Sequence, residues 1–185
     1  MIDLSGSEEE LRARVRKSYK SLINWGEKNL SLTLRDQNSA RVEDMEAFRL
    51  LHIEVAGLET RTPQTWKIQM KMIQENEAFL VLGYWDNALV TAAIFIHSPR
   101  YCYYGASASK RELFEKPLTH AVIWKAILHA KEIGCRWFEV GEQLFPAQTN
   151  SELSPKEQKI SAFKKGFGGS TCIRTDIMFK STISL

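Results

Sequence analysis

The sequence predicts a mixed α/β fold: an antiparallel meander plus one βαβ crossover in a single sheet, with helices on both faces. Three observations carry this expectation. Helical periodicity dominates residues 7–74, three strand-like runs follow between residues 78 and 106, and an apolar helix then joins the third run to the short stretch RWFEVG. A helix linking two strands in this way makes them a parallel pair. With 185 residues, 44% of them hydrophobic, and no internal repeat or low-complexity linker, the chain is expected to form one domain, 1–185.

Taken in order, Ser7 followed by Glu10 reads as a capping box, and Leu11, Val15, Ser18, Leu22 and Trp25 recur at helical spacing until Gly26. Residues 1–29 are therefore expected to hold one amphipathic helix, with Arg12, Arg14, Arg16, Lys17 and Lys20 as a basic face that ordinary solvation also explains. A short strand is expected at 30–34. A helix over 43–56 carries Met45, Phe48, His52 and Val55 on one face, and Gly57 closes it. Pro63 suits a first helical turn, and Trp66, Met70 and Ile73 mark the helix it opens. Strands at 78–85 and 89–97 are joined by Asp86-Asn87-Ala88, and a third spans 101–106. The buried helix covers 117–133 and ends at Gly134, and RWFEVG is the strand at 136–141. A polar loop runs to Ser154, Pro155 opens a short helix, and residues 171–179 read as a last strand.

The net charge of +3 is well short of what sequence-independent nucleic-acid binding requires. Cys102, Cys135 and Cys172 are odd in number and lack metal-ligand spacing, so reduced thiols in a cytoplasmic protein, with no metal, are expected. The apolar run at 88–96 is too short to span a bilayer, and the acidic start MIDLSGSEEE is unlike a signal peptide. P-loop, GxGxxG, GxSxG and HExxH motifs are absent.

The chemistry is sought first in SAFKKGFGG, residues 161–169. On a helical wheel Ile160, Phe163 and Phe167 share the face expected to pack against the sheet; Lys165 points away from it, and Lys164 lies at its border, able to reach a cleft. A snorkelling border lysine is the competing explanation. Glu139 and Glu142 stand near the C-terminal end of a parallel strand, where open α/β sheets bind ligands; either suits a general base, and either suits a structural pair with Arg136 or Lys131. His52 reads most simply as a hydrogen-bonded core histidine. His120 sits in a first helical turn, whose free N–H groups suit an anion. Arg61 and Trp66 flank a turn between two helices, an exposed cation beside an aromatic plane, although Trp66 is equally a core anchor.

The element order resembles the GNAT acyltransferase fold. The segment YYGASASKRELFEKPLTHAVIWKAILHAKEIGCRWFEVGE followed by ISAFKKGFGG is similar to its FemAB-like branch, and LHIEVAGLETRTPQTWKIQ resembles that branch's helical pair. The resemblance implies transfer of an acyl group from an ester or thioester to an amine through a tetrahedral intermediate. It assigns the lysine after the phenylalanine of the final motif, Lys164, to the developing oxyanion; Glu142 and Glu139, from their place at the strand end, are the candidate catalytic carboxylates beside it. Substrate binding is expected of His52, Arg61, Trp66, Tyr104, Ser107, Arg111 and His120. Gly141-Glu142 stands where the branch has Gly-Gly, and no glycine occurs from Ala106 to Ile133, where acetyl-CoA-using relatives carry a phosphate loop.

The expected function is thus an N-acyltransferase or N-aminoacyltransferase acting on an amino sugar or cell-envelope precursor. The donor is acyl-CoA or aminoacyl-tRNA, the partners are a small-molecule amine acceptor and, with the second donor, tRNA, and homodimerisation is left open. Two alternatives stand beside it: an acetyl-CoA-dependent N-acetyltransferase with an atypical phosphate loop, and a non-catalytic GNAT-fold module binding a partner or nucleic acid through residues 12–20.

Overall fold

The computed structural model describes residues 1–144, 153–173 and 175. Its strands are β1 (Ile2–Asp3), β2 (Ser31–Arg35), β3 (Ala78–Trp85), β4 (Ala88–Ser98), β5 (Tyr101–Ser109) and β6 (Trp137–Glu139), hydrogen-bonded in the order β1-β6-β5-β4-β3-β2. All neighbours are antiparallel except β5 and β6, the pair joined by the buried helix. The β3–β4 turn holds Asp86 and Asn87 at φ +48° and +63°, the left-handed pair whose twist matches a two-residue hairpin.

Helices α1 (Glu8–Arg14), α2 (Lys17–Asn29) and α5 (Leu118–Glu132) cover one face of the sheet, while α3 (Val42–Ala56) and α4 (Pro63–Gln74) cover the other. The alternation along β3 shows both faces being buried: Phe79 and Val81 enter the first core, Leu80 and Leu82 the second. Helix α6 (Pro155–Lys165) starts with Ser154 as cap, Pro155 in the first turn and Glu157 completing a capping box. The capping box at Ser7 and Glu10 and the Pro63 start are also as the sequence indicates.

The expected single helix at the N-terminus is two helices. Val15 and Arg16 are extended, with ψ of 136° each, and the Arg16 N–H donates to the Gly166 carbonyl at 2.9 Å instead of to its own helix. The two extended residues shift the helical phase. Tyr19, Ile23 and Gly26 are buried on α2 rather than the predicted Ser18, Leu22 and Trp25. The helix does not stop at Gly26; a side chain there would lie 2.5 Å from the Ala121 Cβ, so glycine lets α2 close on α5. Strand β1 was not foreseen, and neither was its pairing with β6. Of the expected last strand, residues 171–173 and 175 are outside any strand, and the others lie outside the described residues, as does 145–152 of the polar loop.

The basic residues of α1 and α2 are largely taken up within the chain. Arg12 binds Asn24 and Glu27 and stacks on Trp124, Arg14 donates to the Asp3 carbonyl, Arg16 lies over the Tyr19 ring, and Lys20 donates to the Ala13 carbonyl. No helix among the described residues is long and apolar enough to cross a membrane.

The turn after α6 fits into the break between α1 and α2. A methyl group on Gly166 would stand 2.0 Å from the Tyr19 ring, and Gly168, at φ +86°, lies where a Cβ would meet the Arg14 backbone at 2.8 Å. Phe163 and Phe167 pack with Tyr19 and His120 in a cluster of rings whose centroids are 4.6 to 6.0 Å apart. Ile160, expected on the packed face, is 43% exposed, because α6 rests on these rings through its C-terminal end.

Gly166→Ala should therefore cost about 1–3 kcal/mol by overpacking. In chemical denaturation, the loss should be smaller than additive when combined with Tyr19→Ala, which removes the obstructing ring. Burial pushes the His120 imidazole from 6.5 down to about 4. Below pH 6.5 the unfolded chain accepts a proton that the folded one refuses, so the stability present above that pH declines as pH falls toward about 4. Thermal melts across this window should show a shallower decline for His120→Gln than for the parent.

Candidate active site

Strands β5 and β6 pair over three residues only, Tyr101 with Trp137, Cys102 with Phe138 and Tyr103 with Glu139. Beyond Tyr103, β5 continues to Ser109 against β4, while the chain from β6 turns away through Val140 and Gly141. The two parallel strands thus part and leave a notch at their C-terminal ends, the position at which open α/β sheets take ligands.

Lys164 lies over the β6 side of this notch. A methyl group on Gly141, where φ is +110°, would be 3.2 Å from both Cε and Nζ of the lysine, and Nζ donates to the Glu142 carbonyl at 2.5 Å. Lys164 is half-buried and Lys165 exposed, as the helical wheel indicates. Burial draws the Lys164 ammonium below the ordinary lysine range, and the negative charges of Glu142 and Glu139 oppose that shift. Glu139 accepts a hydrogen bond from the Tyr101 hydroxyl. Neither expected structural pairing of these glutamates is found: Arg136 binds Asp3 at 3.2 Å, and Lys131 donates to the Leu4 carbonyl at 3.2 Å. The Leu144 N–H donates to Ser161 Oγ at 3.3 Å and ties the chain after β6 to α6.

On the β5 side, the register with β4 slips by one residue: Ile94 faces Ala106 and Phe95 faces Tyr104, so Gly105 is a bulge. The bulge reverses the alternation, placing Tyr104 and Ser107 on one face with the Tyr104 hydroxyl donating to Ser107 Oγ. Burial pushes the Tyr104 phenol up to about 12, which keeps it a neutral donor. His120 joins the site through its ring contact with Phe163, 5.2 Å between centroids. Its own N–H donates to the Pro117 carbonyl at 3.3 Å and that of Leu118 to the Lys116 carbonyl at 2.9 Å, so these groups at the head of α5 face inward rather than toward an anion. Arg111 is exposed in a 3₁₀ turn, Arg111–Leu113, next to Lys110, which pairs with Glu54 and Glu112.

His52, Arg61 and Trp66 form a separate group on the α3–α4 face. The rings of His52 and Trp66 are 5.4 Å apart, and the Arg61 guanidinium lies 5.7 Å from the Trp66 ring. Trp66 is 4% exposed and anchors the second core. Arg61 is only partly exposed, and His52 Nδ1 is buried with no hydrogen-bond partner among the described residues, unlike the satisfied core histidine expected. Burial and the Arg61 charge both lower the His52 pKa.

Sequence reasoning missed Tyr101, Tyr19, Ser161 and Gln69. Tyr101 had a usable signal, since parallel pairing brings the start of β5 to RWFEVG; Tyr19 was hidden by the phase shift at Val15 and Arg16. Among the described residues no group of three His, Cys, Asp or Glu side chains could hold a metal ion.

No family model and no curated protein matches the chain. Solved structures do. The chain is similar to FemX, with a TM-score of 0.70 and 14% identity over 90% of its own length, and it spans 57% of the FemX chain. It is also similar to an aminoglycoside acetyltransferase from an uncultured soil metagenomic sample, solved with sisomicin, with a TM-score of 0.57 and 12% identity over 85% of this chain and 99% of that one. A ribosomal-protein-alanine N-acetyltransferase from Brucella melitensis biovar Abortus 2308 matches with a TM-score of 0.54 and 12% identity over 82% and 99% of the two chains. At these identities the likeness is one of fold, and the fold is that of the GNAT acetyltransferases.

Proposed function

We propose that the chain transfers an acyl group from an activated ester or thioester to an amine in the notch between β5 and β6. The observation that carries this reading is the half-buried Lys164 ammonium held over Gly141 where the parallel strands part. An ammonium kept partly from water stabilises charge that develops only as the acyl carbonyl becomes tetrahedral. Glu142, whose carboxylate acts on Lys164 through its charge, takes the proton from the attacking amine, and its exposure lets that proton pass to solvent. The charge of Glu139, which is held by Tyr101, opposes the effect of burial on Lys164 and so favours the ammonium form.

The residues joining β5 to α5 do not form the backbone cradle that a helix start usually offers a pyrophosphate. The segment has no glycine, and the N–H groups of Leu118 and His120 are spent internally. A CoA donor would rely on side chains such as Arg111 and Lys116. An amino sugar or envelope precursor is the acceptor class this reading favours, and the likeness to an aminoglycoside acetyltransferase supports the amino-sugar member of that class. The alternative of a binding module working through residues 12–20 loses support from the internal engagement of Arg12, Arg14, Arg16 and Lys20.

Mass spectrometry of reactions containing acetyl-CoA or aminoacyl-tRNA with a panel of amino sugars, nucleotide-linked amino sugars and peptides tests the activity. Product should form with one donor class; no transfer from either to any acceptor rejects the reading. Lys164→Ala should reduce kcat by about 10²–10³-fold without lowering the melting temperature, while Lys165→Ala stays close to the parent. Equal rates in the two variants would remove Lys164 from the chemistry. Because the native Lys164 loses its proton below the ordinary lysine range, the rate should fall on the alkaline side, and Lys164→Arg should move that fall to higher pH. Glu142→Gln should abolish the acidic limb of the pH–rate profile at unchanged melting temperature; an intact limb with a lowered melting temperature would make Glu142 structural.

A further inference from the structure

Four buried polar atoms around the α3–α4 turn have no hydrogen-bond partner among the described residues: His52 Nδ1, Arg61 Nη1, Trp66 Nε1 and Gln69 Oε1. They share one neighbourhood. The His52 and Trp66 rings are 5.4 Å apart, the Arg61 guanidinium is 5.7 Å from the Trp66 ring, and Gln69 lies one turn beyond Trp66 on α4. A buried polar atom left unpaired loses its hydration with nothing in return, so four together form a concentrated penalty that a ligand would relieve.

Their chemistry limits what that ligand is. Arg61 and Trp66 only donate, Arg61 with a full charge, and the imidazole of His52 donates from whichever nitrogen is protonated. No carboxylate lies within ion-pair distance of Arg61 among the described residues, and the charge that perturbs His52 is the guanidinium itself. The positive charge is therefore left without a counter-ion among the described residues. Trp66, 4% exposed, is anchored in the second core with the Arg61 guanidinium 5.7 Å from its ring. The Lys110–Glu54 pair, at 3.3 Å, ties the last turns of α3 to the end of β5, so the group sits at the notch end of the sheet on the face opposite Tyr19.

Building on the acyl-transfer reading, we propose that His52, Arg61, Trp66 and Gln69 bind an oxyanion, a carboxylate or a phosphate, carried by the amine acceptor. Arg61 is the charged anchor, Trp66 Nε1 and His52 supply further hydrogen bonds, and Gln69 Oε1 accepts from an N–H or O–H next to the anion. The atoms are covered in this structure, so the turn carrying Arg61 gives way on binding.

The indole N–H resonances of the full chain, with that of Trp66 identified from Trp66→Phe, report on this directly. Inorganic phosphate and N-acetylglycine are titrated separately. The Trp66 resonance should move saturably with one of them, which distinguishes phosphate from carboxylate. Arg61→Met, which keeps the aliphatic stem over Trp66, should weaken that binding by at least about tenfold, as should Gln69→Glu, which sets a like charge beside the anion. A resonance indifferent to both anions, or one that responds equally in the two variants and the parent, overturns the proposal. Lys164→Ala should bind the anion as the parent does. Intact anion binding in a chain that transfers nothing would therefore reject the acyltransferase reading alone, and intact transfer with no anion response would reject the anion site alone. In turnover, Arg61→Met should raise the acceptor KM more than it lowers kcat.

Discussion

The hydrogen bond from the Arg16 N–H to the Gly166 carbonyl is the constraint on which the candidate site depends. A helix that continued through residue 16 would have used that N–H internally and closed the gap that the glycine turn enters. Because the helix breaks, Tyr19 rotates into the core, Gly166 seats against its ring, and Gly168 passes the Arg14 backbone without a side chain. Phe163 and Phe167 then pack on Tyr19 and His120, which fixes the rotation of α6 and with it the direction of Lys164. The glycines of KKGFGG are thus explained by the close approach of two distant segments, while the first lysine is explained by the notch.

The sheet separates two kinds of site. On one face the notch holds a cation over a turn of backbone, within reach of the charges of Glu142 and Glu139; on the other a sheltered group of donors has no counter-charge among the described residues. Their common end is β5, whose bulge at Gly105 turns Tyr104 and Ser107 to the notch while Ala106 and Ala108 enter the core under α3. A single inserted residue therefore decides which β5 side chains meet each face.

Local signals were legible where local physics decides structure. The capping boxes at Ser7 and Ser154, the Pro63 start, the Asp86-Asn87 turn and the apolar α5 each follow from their own residues, and the βαβ order then gives the sheet. The helix break was illegible because its cause lies at Gly166, some 150 residues away. Strand β1 is too short for any periodicity to show, and its pairing with β6 replaces what sequence length would provide. Lys164 was legible twice, from its wheel position and from a motif. The unpaired atoms of the α3–α4 turn were not, because a histidine on an apolar helix face looks the same whether or not its nitrogen has a partner.

The pairing of β1 with β6, and of Met1 with Ser170 through the Ser170 N–H, joins the first residues of the chain to some of its later ones. During synthesis, the central strands β3, β4 and β5 and the helices α3 and α4 that precede them in the chain hold mostly neighbouring contacts and can be organised on the ribosome. The notch cannot. Its lysine is positioned only when a segment beyond residue 165 returns to the α1–α2 break, so a nascent chain with a formed core still lacks the arrangement at the notch. A chain interrupted before the glycine turn would keep its central strands and leave the notch without its lysine held in place.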